Sequence, residues 1–202
     1  MAKGIIFDLG EVYFQIDWEA IDGEMKQKFG ISSLIRSNYG EDINKIYDKS
    51  SVGELSLKDV FEKICEDQNL DAGEVTAYYK ELYKKFKKVN LDVADLIKKL
   101  KGNVKVACFT DTNDVHLQTH REQNHLDDFD YVFASCELGK VKKEEGAFDK
   151  MLQEMNLEPN EVILVDDSEK NIESARKRGM KGIVYKDYDQ LVEELNKLGV
   201  DV

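Results

Sequence analysis

The chain has 202 residues, of which 42% are hydrophobic and 35% are charged. This balance is typical of a folded globular protein and excludes a disordered chain. The formal net charge of −12 opposes binding to nucleic acid and to anionic lipid, because both are negatively charged. We therefore expect neither a nucleic acid nor a membrane among the partners.

The N-terminal residues and the cysteines bear on the cellular compartment. Met1 to Gly4 lead directly into the first apolar run, so we expect no leader segment. No apolar stretch of the sequence reaches the length of a membrane span. Cys65, Cys108 and Cys136 are widely spaced among apolar neighbours, a pattern that favours reduced, buried thiols. The expectation is a cytoplasmic protein.

The first element is a short strand that ends at a carboxylate. Ile5, Ile6 and Phe7 form an apolar run that leads into Asp8 and, two residues later, Gly10. A continuous apolar run is typical of a parallel strand with both faces covered. Open α/β sheets bind their ligands at the carboxyl ends of such strands. Asp8 is therefore the first candidate functional residue.

From about Asp17 to Val89 the apolar residues recur at helical intervals, and no convincing strand run interrupts them. Three stretches carry this pattern: Trp18, Ile21, Met25 and Phe29, with Gly30 as a stop; Val60, Phe61 and Ile64, with Ser56 as a cap; and Val75, Tyr78, Tyr79, Leu82, Tyr83, Phe86 and Val89. The segment therefore predicts a small helical bundle inserted after the first strand.

Two features of this helical segment need interpretation. Lys84, Lys85, Lys87 and Lys88 form a basic cluster, which we expect on a solvated helix face. The dipeptide that begins at Gly53 is either a loop that approaches the strand ends or only the turn that leads into the second helix.

From Leu91 onward, helices alternate with short apolar runs. The runs predict strands over 104–109, 131–134, 162–165 and 182–185, and helices are predicted near 93–100, 148–155, 172–178 and 191–198. Such alternation implies right-handed crossovers and a parallel sheet with helices on both faces. Because the first strand belongs to the same sheet, we predict an α/β domain from residues 1–15 and 90–202, with a helical insertion over 16–89.

Polar residues follow several of the apolar runs: Asp8; Thr110 to Asn113; and Asp166 with Asp167. Because the carboxyl ends of parallel strands share one edge of a sheet, these groups are expected to converge. Converging carboxylates need a cation or raised pKa values. Three aspartates with a glycine carbonyl nearby suit an oxygen-ligated ion, and Mg2+ fits this ligand set best.

The ordered set FDLGEV, FTDTN, GKVKK and ILVDDSEKNIESARKRGM resembles the four motifs of the haloacid dehalogenase superfamily, in its phosphatase-like branch. The resemblance spans nearly the whole chain. It implies a Rossmann-like parallel sheet core, with residues 16–89 as an inserted α-helical cap domain. Within the superfamily, the pattern is similar to that of small sugar-phosphate phosphatases, including the α-glucose-1-phosphate type, which also carry a glycine two residues after the nucleophile.

This resemblance implies a role for each motif residue. Asp8 is expected to attack phosphorus and become an aspartyl phosphate. Thr110 is expected to donate its hydroxyl to a phosphoryl oxygen, and Lys142 to offset the negative charge. Lys140 competes for that role, but the register with Gly139 favours Lys142. The implied substrate-binding set is Thr110, Asp111 and Lys142, and the implied Mg2+ ligands are Asp8, the Gly10 carbonyl, Asp166 and Asp167.

The sequence departs from the superfamily pattern at three positions. Gly10 stands where phosphatases of the superfamily usually carry an aspartate that protonates the leaving group, a contribution of about 100- to 10,000-fold in rate. We expect slow turnover or a preference for good leaving groups, such as sugar 1-phosphates. The adjacent Glu11 is expected to face solvent. Asp111 replaces an asparagine and adds negative charge, and Lys143 replaces a proline.

The first functional hypothesis is a Mg2+-dependent phosphatase of a small phosphorylated metabolite, with sugar phosphates as the leading class. A 2-haloacid dehalogenase is a second, but that reaction needs no metal, so Asp166 and Asp167 argue against it. Phosphoglucomutase-like transfer relies on the acid-base group that Gly10 removes. A catalytically impaired binding or regulatory protein is the last alternative, motivated by Gly10, Asp111 and Lys143.

Two histidines have the spacing of a metal-binding pair on a helix. His116 and His120 lie four residues apart, but no glutamate follows His116 as it does in zinc proteases. We therefore expect a solvated helix face, with His116 near enough to the Thr110 loop to line the pocket.

Overall fold

Residues 2–202, which the computed structural model describes, contain seven strands. They are β1 (Gly4–Phe7), β2 (Phe14–Ile16), β3 (Lys87–Val89), β4 (Lys105–Thr110), β5 (Tyr131–Ala134), β6 (Val162–Asp166) and β7 (Lys181–Val184). Five of them form a parallel sheet in the order β5-β4-β1-β6-β7. All five strands predicted from apolar runs are present, with ends within two residues of those expected. The α/β fold class is confirmed.

Helices cover both faces of this sheet. Those after the helical insertion are α6 (Leu91–Leu100), α7 (Asp114–Glu122), α8 (Ser135–Leu138), α9 (Asp149–Met155), α10 (Glu169–Lys177) and α11 (Tyr188–Lys197). Ile5 and Phe7 of β1 pack in one apolar cluster with α6 and α11, whereas Ile6 packs in another with α9 and α10. Burial on both faces explains why the strand is apolar at every position.

Five helices lie between β2 and β3: α1 (Trp18–Phe29), α2 (Ile35–Asn38), α3 (Glu41–Ser51), α4 (Leu57–Cys65) and α5 (Ala72–Phe86). They enclose an apolar cluster that includes Met25, Phe61 and Leu82 and is joined by Val115 of α7. Gly30 ends α1 in a left-handed conformation and Ser56 caps α4, as predicted. The division into a core and a cap at residues 16 and 89 stays a prediction.

The expectation that residues 17–89 contain no strand is wrong at its C-terminal end. Helix α5 ends at Phe86, and β3 then pairs antiparallel with β2, so that Ile16 lies opposite Lys87 and Phe14 opposite Val89. The partner strand is far away in sequence, and local helical periodicity therefore did not reveal the pairing. The two strands form a ribbon through which the chain enters and leaves the helical segment.

The turn at Gly53 lies against the sheet domain. Gly53 has a φ of 76°, and a Cβ atom there would overlap the carbonyl oxygen of Cys136 in α8. Only glycine suits both the backbone conformation and the close approach. Glu54, the next residue, lines a cleft together with Asp111. The helical segment is thus in direct contact with the domain that carries the strand ends.

Two further features concern the remaining predictions. Cys65 and Cys108 are buried, as expected, whereas Cys136 is partly exposed. Across residues 2–202, no helix has both the length and the apolar character needed to cross a membrane.

Candidate active site

Three adjacent strands bring the predicted site residues to one edge of the sheet. Strand β1 lies between β4 and β6, with Phe7 paired to Cys108 on one side and to Val165 on the other. Asp8 directly follows β1, and its backbone N–H donates to the Val165 carbonyl at 2.8 Å. Thr110 and Asp166 are the last residues of the neighbouring strands. The sheet register therefore fixes the relative positions of these groups.

Lys142 lies between two of the carboxylates. Its Nζ is 2.5 Å from Asp8 Oδ1 and 2.7 Å from Asp166 Oδ2. Asp166 also accepts hydrogen bonds from the Ser168 N–H at 2.9 Å and from the Asn171 amide at 3.0 Å. Lys142 and Asp166 are only 1% and 0% exposed at their side chains. Such a buried cluster is stable only when its charges are compensated within it.

The electrostatics of this cluster follow from its burial. Burial raises the pKa of Asp8 to about 7, and the charge of Lys142 opposes that shift. Burial lowers the pKa of Lys142, but the charges of Asp8 and Asp166 outweigh it and hold the pKa above its usual range. Lys142 therefore carries its charge at neutral pH.

The backbone around Lys142 is fixed by two hydrogen bonds. Its N–H donates to Asp111 Oδ1 at 2.9 Å, and its carbonyl accepts from the Ser174 hydroxyl at 2.9 Å. Of the competing lysines, Lys140 donates to the Glu145 carbonyl instead. The structure thus brings Lys142 to the carboxylates and leaves Lys140 outside. Asp111 positions the lysine loop as well as lining the cavity.

Three carboxylates are arranged so that they could hold a metal ion. One oxygen each from Asp8, Asp166 and Asp167 lies within 4.8 Å of the others. Burial, and then the charge of Asp166, raises the pKa of Asp167. One ammonium group faces three carboxylates, so the cluster has an excess of negative charge. All-oxygen donors with this excess fit a hard divalent cation such as Mg2+. The Gly10 carbonyl stays a predicted ligand.

A cavity of about 120 Å³ lies above these groups. Its lining comes from both parts of the chain: Asp8, Gly10, Thr110, Asp111, Thr112 and Lys142 at the strand ends and following loops; Asn171 on α10; His116 and His120 on α7; and Ile16, Trp18 and Tyr83 from the ribbon and the helical segment. One side is charged, and the other is aromatic and imidazole-rich. Trp18, predicted from its spacing to lie on the apolar face of the first helix of the insertion, also lines the cavity. Glu11 is exposed, as predicted.

The prediction of a solvated face for His116 and His120 is wrong, because α7 packs against α5. The two side chains are 7% and 2% exposed. His116 Nε2 is 2.8 Å from the Tyr79 hydroxyl, and its ring stacks on Tyr83 with centroids 3.9 Å apart. Burial, followed by the charge of Lys87, lowers the pKa of His116 to about 3 and that of His120 to about 2. Both imidazoles are therefore neutral.

Lys87 is also buried, at 6% exposure, contrary to the expected solvated face. Its Nζ is 2.9 Å from His120 Nδ1 and lies over the ring of Phe14 at 4.6 Å from the centroid. Lys88, the next residue of β3, is exposed. The twofold alternation of a strand accounts for the difference between the two lysines. The strand alternation is the pattern from which the burial of Lys87 could have been predicted. The helical periodicity of the preceding residues instead favoured a helix through Lys87 and Lys88.

Comparison with known proteins identifies relatives of this chain. The family model described as haloacid dehalogenase-like hydrolase matches residues 31–185. A 70-residue stretch is 34% identical to bifunctional epoxide hydrolase 2 of Rattus norvegicus and covers 35% of this chain and 13% of that protein. The match thus spans about an eighth of the length of that relative. The sesquiterpene phosphatase of Aspergillus oryzae is 26% identical over 200 residues, which are 97% of this chain and 96% of that protein.

Among solved structures, the chain is similar to a haloacid dehalogenase family enzyme of Bacteroides thetaiotaomicron in complex with magnesium and inorganic phosphate. The TM-score is 0.76 at 20% sequence identity, and the match covers 95% of this chain and 99% of that one. At this identity the similarity concerns the fold.

Proposed function

Because this chain belongs to the haloacid dehalogenase-like hydrolase family, we propose that it is a Mg2+-dependent phosphoric monoester hydrolase. Its substrate is a small phosphorylated metabolite, and its reaction passes through an aspartyl phosphate on Asp8. The observation that carries the proposal is the ion pair of Lys142 with Asp8 and Asp166 at the base of a cavity. A sesquiterpene phosphatase aligned over nearly the full length of the chain also supports it.

Asp8 acts as the nucleophile. A carboxylate oxygen attacks phosphorus, the bond from phosphorus to the leaving oxygen breaks, and water then hydrolyses the acyl phosphate. Lys142 holds the carboxylate in place and offsets the charge of the phosphoryl group. Thr110 donates its hydroxyl to a phosphoryl oxygen, and Asp111 fixes the backbone of the lysine loop.

The metal ligands in this proposal are the carboxylates of Asp8, Asp166 and Asp167 with the Gly10 carbonyl. When bound, Mg2+ reduces the repulsion between an anionic nucleophile and an anionic substrate. A haloacid dehalogenase needs no such ion, so the third carboxylate favours the phosphatase.

The cavity supports a small substrate. Its volume of about 120 Å³ limits the substrate to a small phosphomonoester. The aromatic rings of Trp18 and Tyr83 face the leaving group from the helical side, as is suitable for the apolar face of a sugar ring. Sugar phosphates are therefore the leading substrate class.

A catalytically impaired binding protein is the second candidate, and Gly10 is the observation that favours it. In this chain no carboxylate is present two residues after Asp8 to protonate a leaving group. The same experiment separates the two candidates.

The test is phosphate release from a panel of phosphomonoesters, with and without Mg2+, by the native protein and by Asp8→Asn. We expect release that depends on Mg2+ and is abolished by the substitution. Release that persists in Asp8→Asn contradicts the mechanism. If neither protein is active but Mg2+ still raises the melting temperature, and Asp167→Asn removes that shift, the binding protein replaces the phosphatase as the conclusion.

A further inference from the structure

The absence of an aspartate at position 10 leaves the proposed reaction without its usual proton donor, and the helical side of the cavity offers other groups. Tyr83 and His120 both line the cavity that contains Asp8. His120 Nε2 is 3.4 Å from the Tyr83 hydroxyl, and His120 Nδ1 is 2.9 Å from Lys87 Nζ. Hydrogen bonds at catalytic sites are often long without substrate and shorten when it binds. The three side chains form a continuous line from the ribbon to the cavity.

The charge of Lys87 determines which group donates and which accepts in each of these hydrogen bonds. A charged ammonium group can only donate, so His120 accepts at Nδ1. The neutral imidazole must then carry its proton on Nε2, from which it donates to the Tyr83 oxygen. The Tyr83 hydroxyl keeps its own proton for another acceptor. Burial, and then the charges of Tyr47 and Asp8, raises the pKa of Tyr83, so its hydroxyl stays protonated.

Lys87 is an unusual buried lysine because the described part of the chain places no acidic partner beside it. Within residues 2–202, no carboxylate lies within ion-pair distance of its Nζ. The titratable and charged groups around it are Tyr83 and Lys84 on α5, His116 and His120 on α7, and His125 in the following turn, while Phe14 of β2 lies beneath it.

Burial, followed by the charge of Lys84, lowers the pKa of Lys87 to about 7. Near neutral pH, the group is therefore able both to release a proton and to regain it. A lysine placed only for structural reasons would be expected to have a carboxylate partner or an exposed ammonium group.

We propose that Lys87, His120 and Tyr83 form a proton relay that protonates the leaving group and replaces the missing carboxylate at position 10. The proposal rests on the phosphatase function above. Tyr83 is the catalytic residue of the relay, because it faces the substrate, and His120 and Lys87 are positioning residues that act through it.

The proton transfers balance in one step. As the bond between phosphorus and the leaving oxygen breaks, its electron pair stays on that oxygen, which takes the proton of the Tyr83 hydroxyl. The Tyr83 oxygen takes the proton from His120 Nε2, and His120 Nδ1 takes one from the Lys87 ammonium. Lys87 becomes a neutral amine and regains its proton from solvent when the product leaves.

The dependence of rate on the leaving group tests the relay. Acetyl phosphate releases acetate, which needs no proton, whereas an alkyl phosphate releases an alkoxide, which does. We expect Tyr83→Phe and Lys87→Met to reduce kcat/KM about 100-fold for the alkyl phosphate that the native protein hydrolyses fastest, and less than about threefold for acetyl phosphate. The value of kcat/KM is suitable because it reports on steps up to leaving-group departure.

Matched variants control for packing. Tyr78→Phe removes a hydroxyl from the same helix that bonds only Glu24 at the surface, and Lys88→Met removes the exposed lysine next to Lys87. Neither should change the ratio of the two kcat/KM values. Tyr83→Phe removes one oxygen and keeps the ring stacked on His116, so it tests the relay even if Lys87→Met fails to fold.

The outcomes distinguish the relay from the phosphatase function. Equal losses on both substrates, or no loss on either, overturn the relay while the function stands. A native protein that hydrolyses acetyl phosphate and no alkyl phosphate also overturns it. A native protein inactive on acetyl phosphate and on every phosphomonoester of the panel overturns the function and the relay together. The ratio of kcat/KM on the alkyl phosphate to kcat/KM on acetyl phosphate should fall as the pH rises through about 7, because the ionisation of Asp8 affects both substrates alike, and this fall should be absent in Lys87→Met.

Discussion

Lys142 Nζ and Asp8 Oδ1 lie 2.5 Å apart, although 134 positions separate the two residues in the chain. The sheet edge positions Asp8, and the loop held by Asp111 and Ser174 positions Lys142. The ion pair therefore depends on the folding of both segments. Its burial makes the ammonium group important for stability as well as for the proposed chemistry.

Substitution of Lys142 by methionine should destabilise the fold. It leaves Asp8 and Asp166 buried without their cation, and removal of one partner from a buried ion pair costs about 3–5 kcal/mol. Urea unfolding without Mg2+ measures the change in the free energy of unfolding. Lys140→Met is the control, because Lys140 is exposed and bonds only a backbone carbonyl. Equal losses in both variants contradict this assignment.

Gly10→Asp should increase the rate on substrates with poor leaving groups. A Cβ atom at Gly10 has Asp8 Oδ2 as its nearest neighbour, at 3.9 Å, so the side chain fits. An added acid should raise kcat/KM for an alkyl phosphate by about 100-fold, which is the low end of general acid catalysis. When Gly10→Asp is present, the further substitution Tyr83→Phe should change kcat/KM for the alkyl phosphate only slightly. Gly23→Asp, on the open face of α1, controls for added charge, and an unchanged rate in Gly10→Asp counts against a missing acid.

The sequence predicted the sheet and the convergence of its strand ends because these features depend on short-range patterns. The apolar runs of β1, β4 and β6 are continuous, and the candidate site aspartates follow two of them directly. A parallel arrangement then requires their carboxyl ends to meet. The identity of the converging residues could thus be read without knowledge of any side-chain contact.

The surroundings of Lys87, His116 and His120 could not be predicted in this way. Their burial depends on the packing of α5 against α7 and on the pairing of β2 with β3, and both are contacts between distant segments. Histidine and lysine are polar, so local patterns assign them to solvent. Only the tertiary structure shows that aromatic rings surround them.

The stability of the protein should rise with pH above neutrality, in part because of Lys87. Its pKa is about 7 in the folded state, against an ordinary value of 10.5. Between these values the unfolded state binds more protons than the folded state, so stability rises by up to about 1.4 kcal/mol per pH unit. Below pH 7 Lys87 is charged in both the folded and the unfolded state, so the folded state bears the full free-energy cost of burying the ammonium group.

The measurement for Lys87 is the free energy of unfolding in urea at pH 7, 8 and 9. The difference between the native protein and Lys87→Met isolates this lysine, because other titrating groups cancel. As the pH rises, the free energy of unfolding of the native protein should increase relative to that of Lys87→Met. The free energy of unfolding of Lys88→Met should instead change with pH in parallel with that of the native protein. Parallel curves for Lys87→Met show that the lysine is not desolvated.

Gly53→Ala should destabilise the protein more than a glycine substitution at a comparable turn. Gly102 also has a positive φ, of 89°, but a Cβ atom there has open space. Gly102→Ala should therefore show only the backbone effect, about 1 kcal/mol. Gly53→Ala should exceed it by about 1–3 kcal/mol, because the methyl group overlaps the Cys136 carbonyl. Thermal or urea unfolding measures the loss of stability in both variants. Equal losses indicate that the backbone at Cys136 shifts easily to accept the methyl group.

The ribbon of β2 and β3 has a consequence for how the protein can change in evolution. Because Ile16 pairs with Lys87, the chain leaves and re-enters the sheet domain at points about 5 Å apart. The helices between these points can be lengthened, shortened or exchanged while every strand of the sheet keeps its neighbours. Such an exchange replaces Trp18 and Tyr83 on the helical side of the cavity, but it retains Asp8, Lys142 and the other groups at the strand ends. The helical lining of the cavity and the carboxylate cluster are thereby encoded in segments that can vary separately.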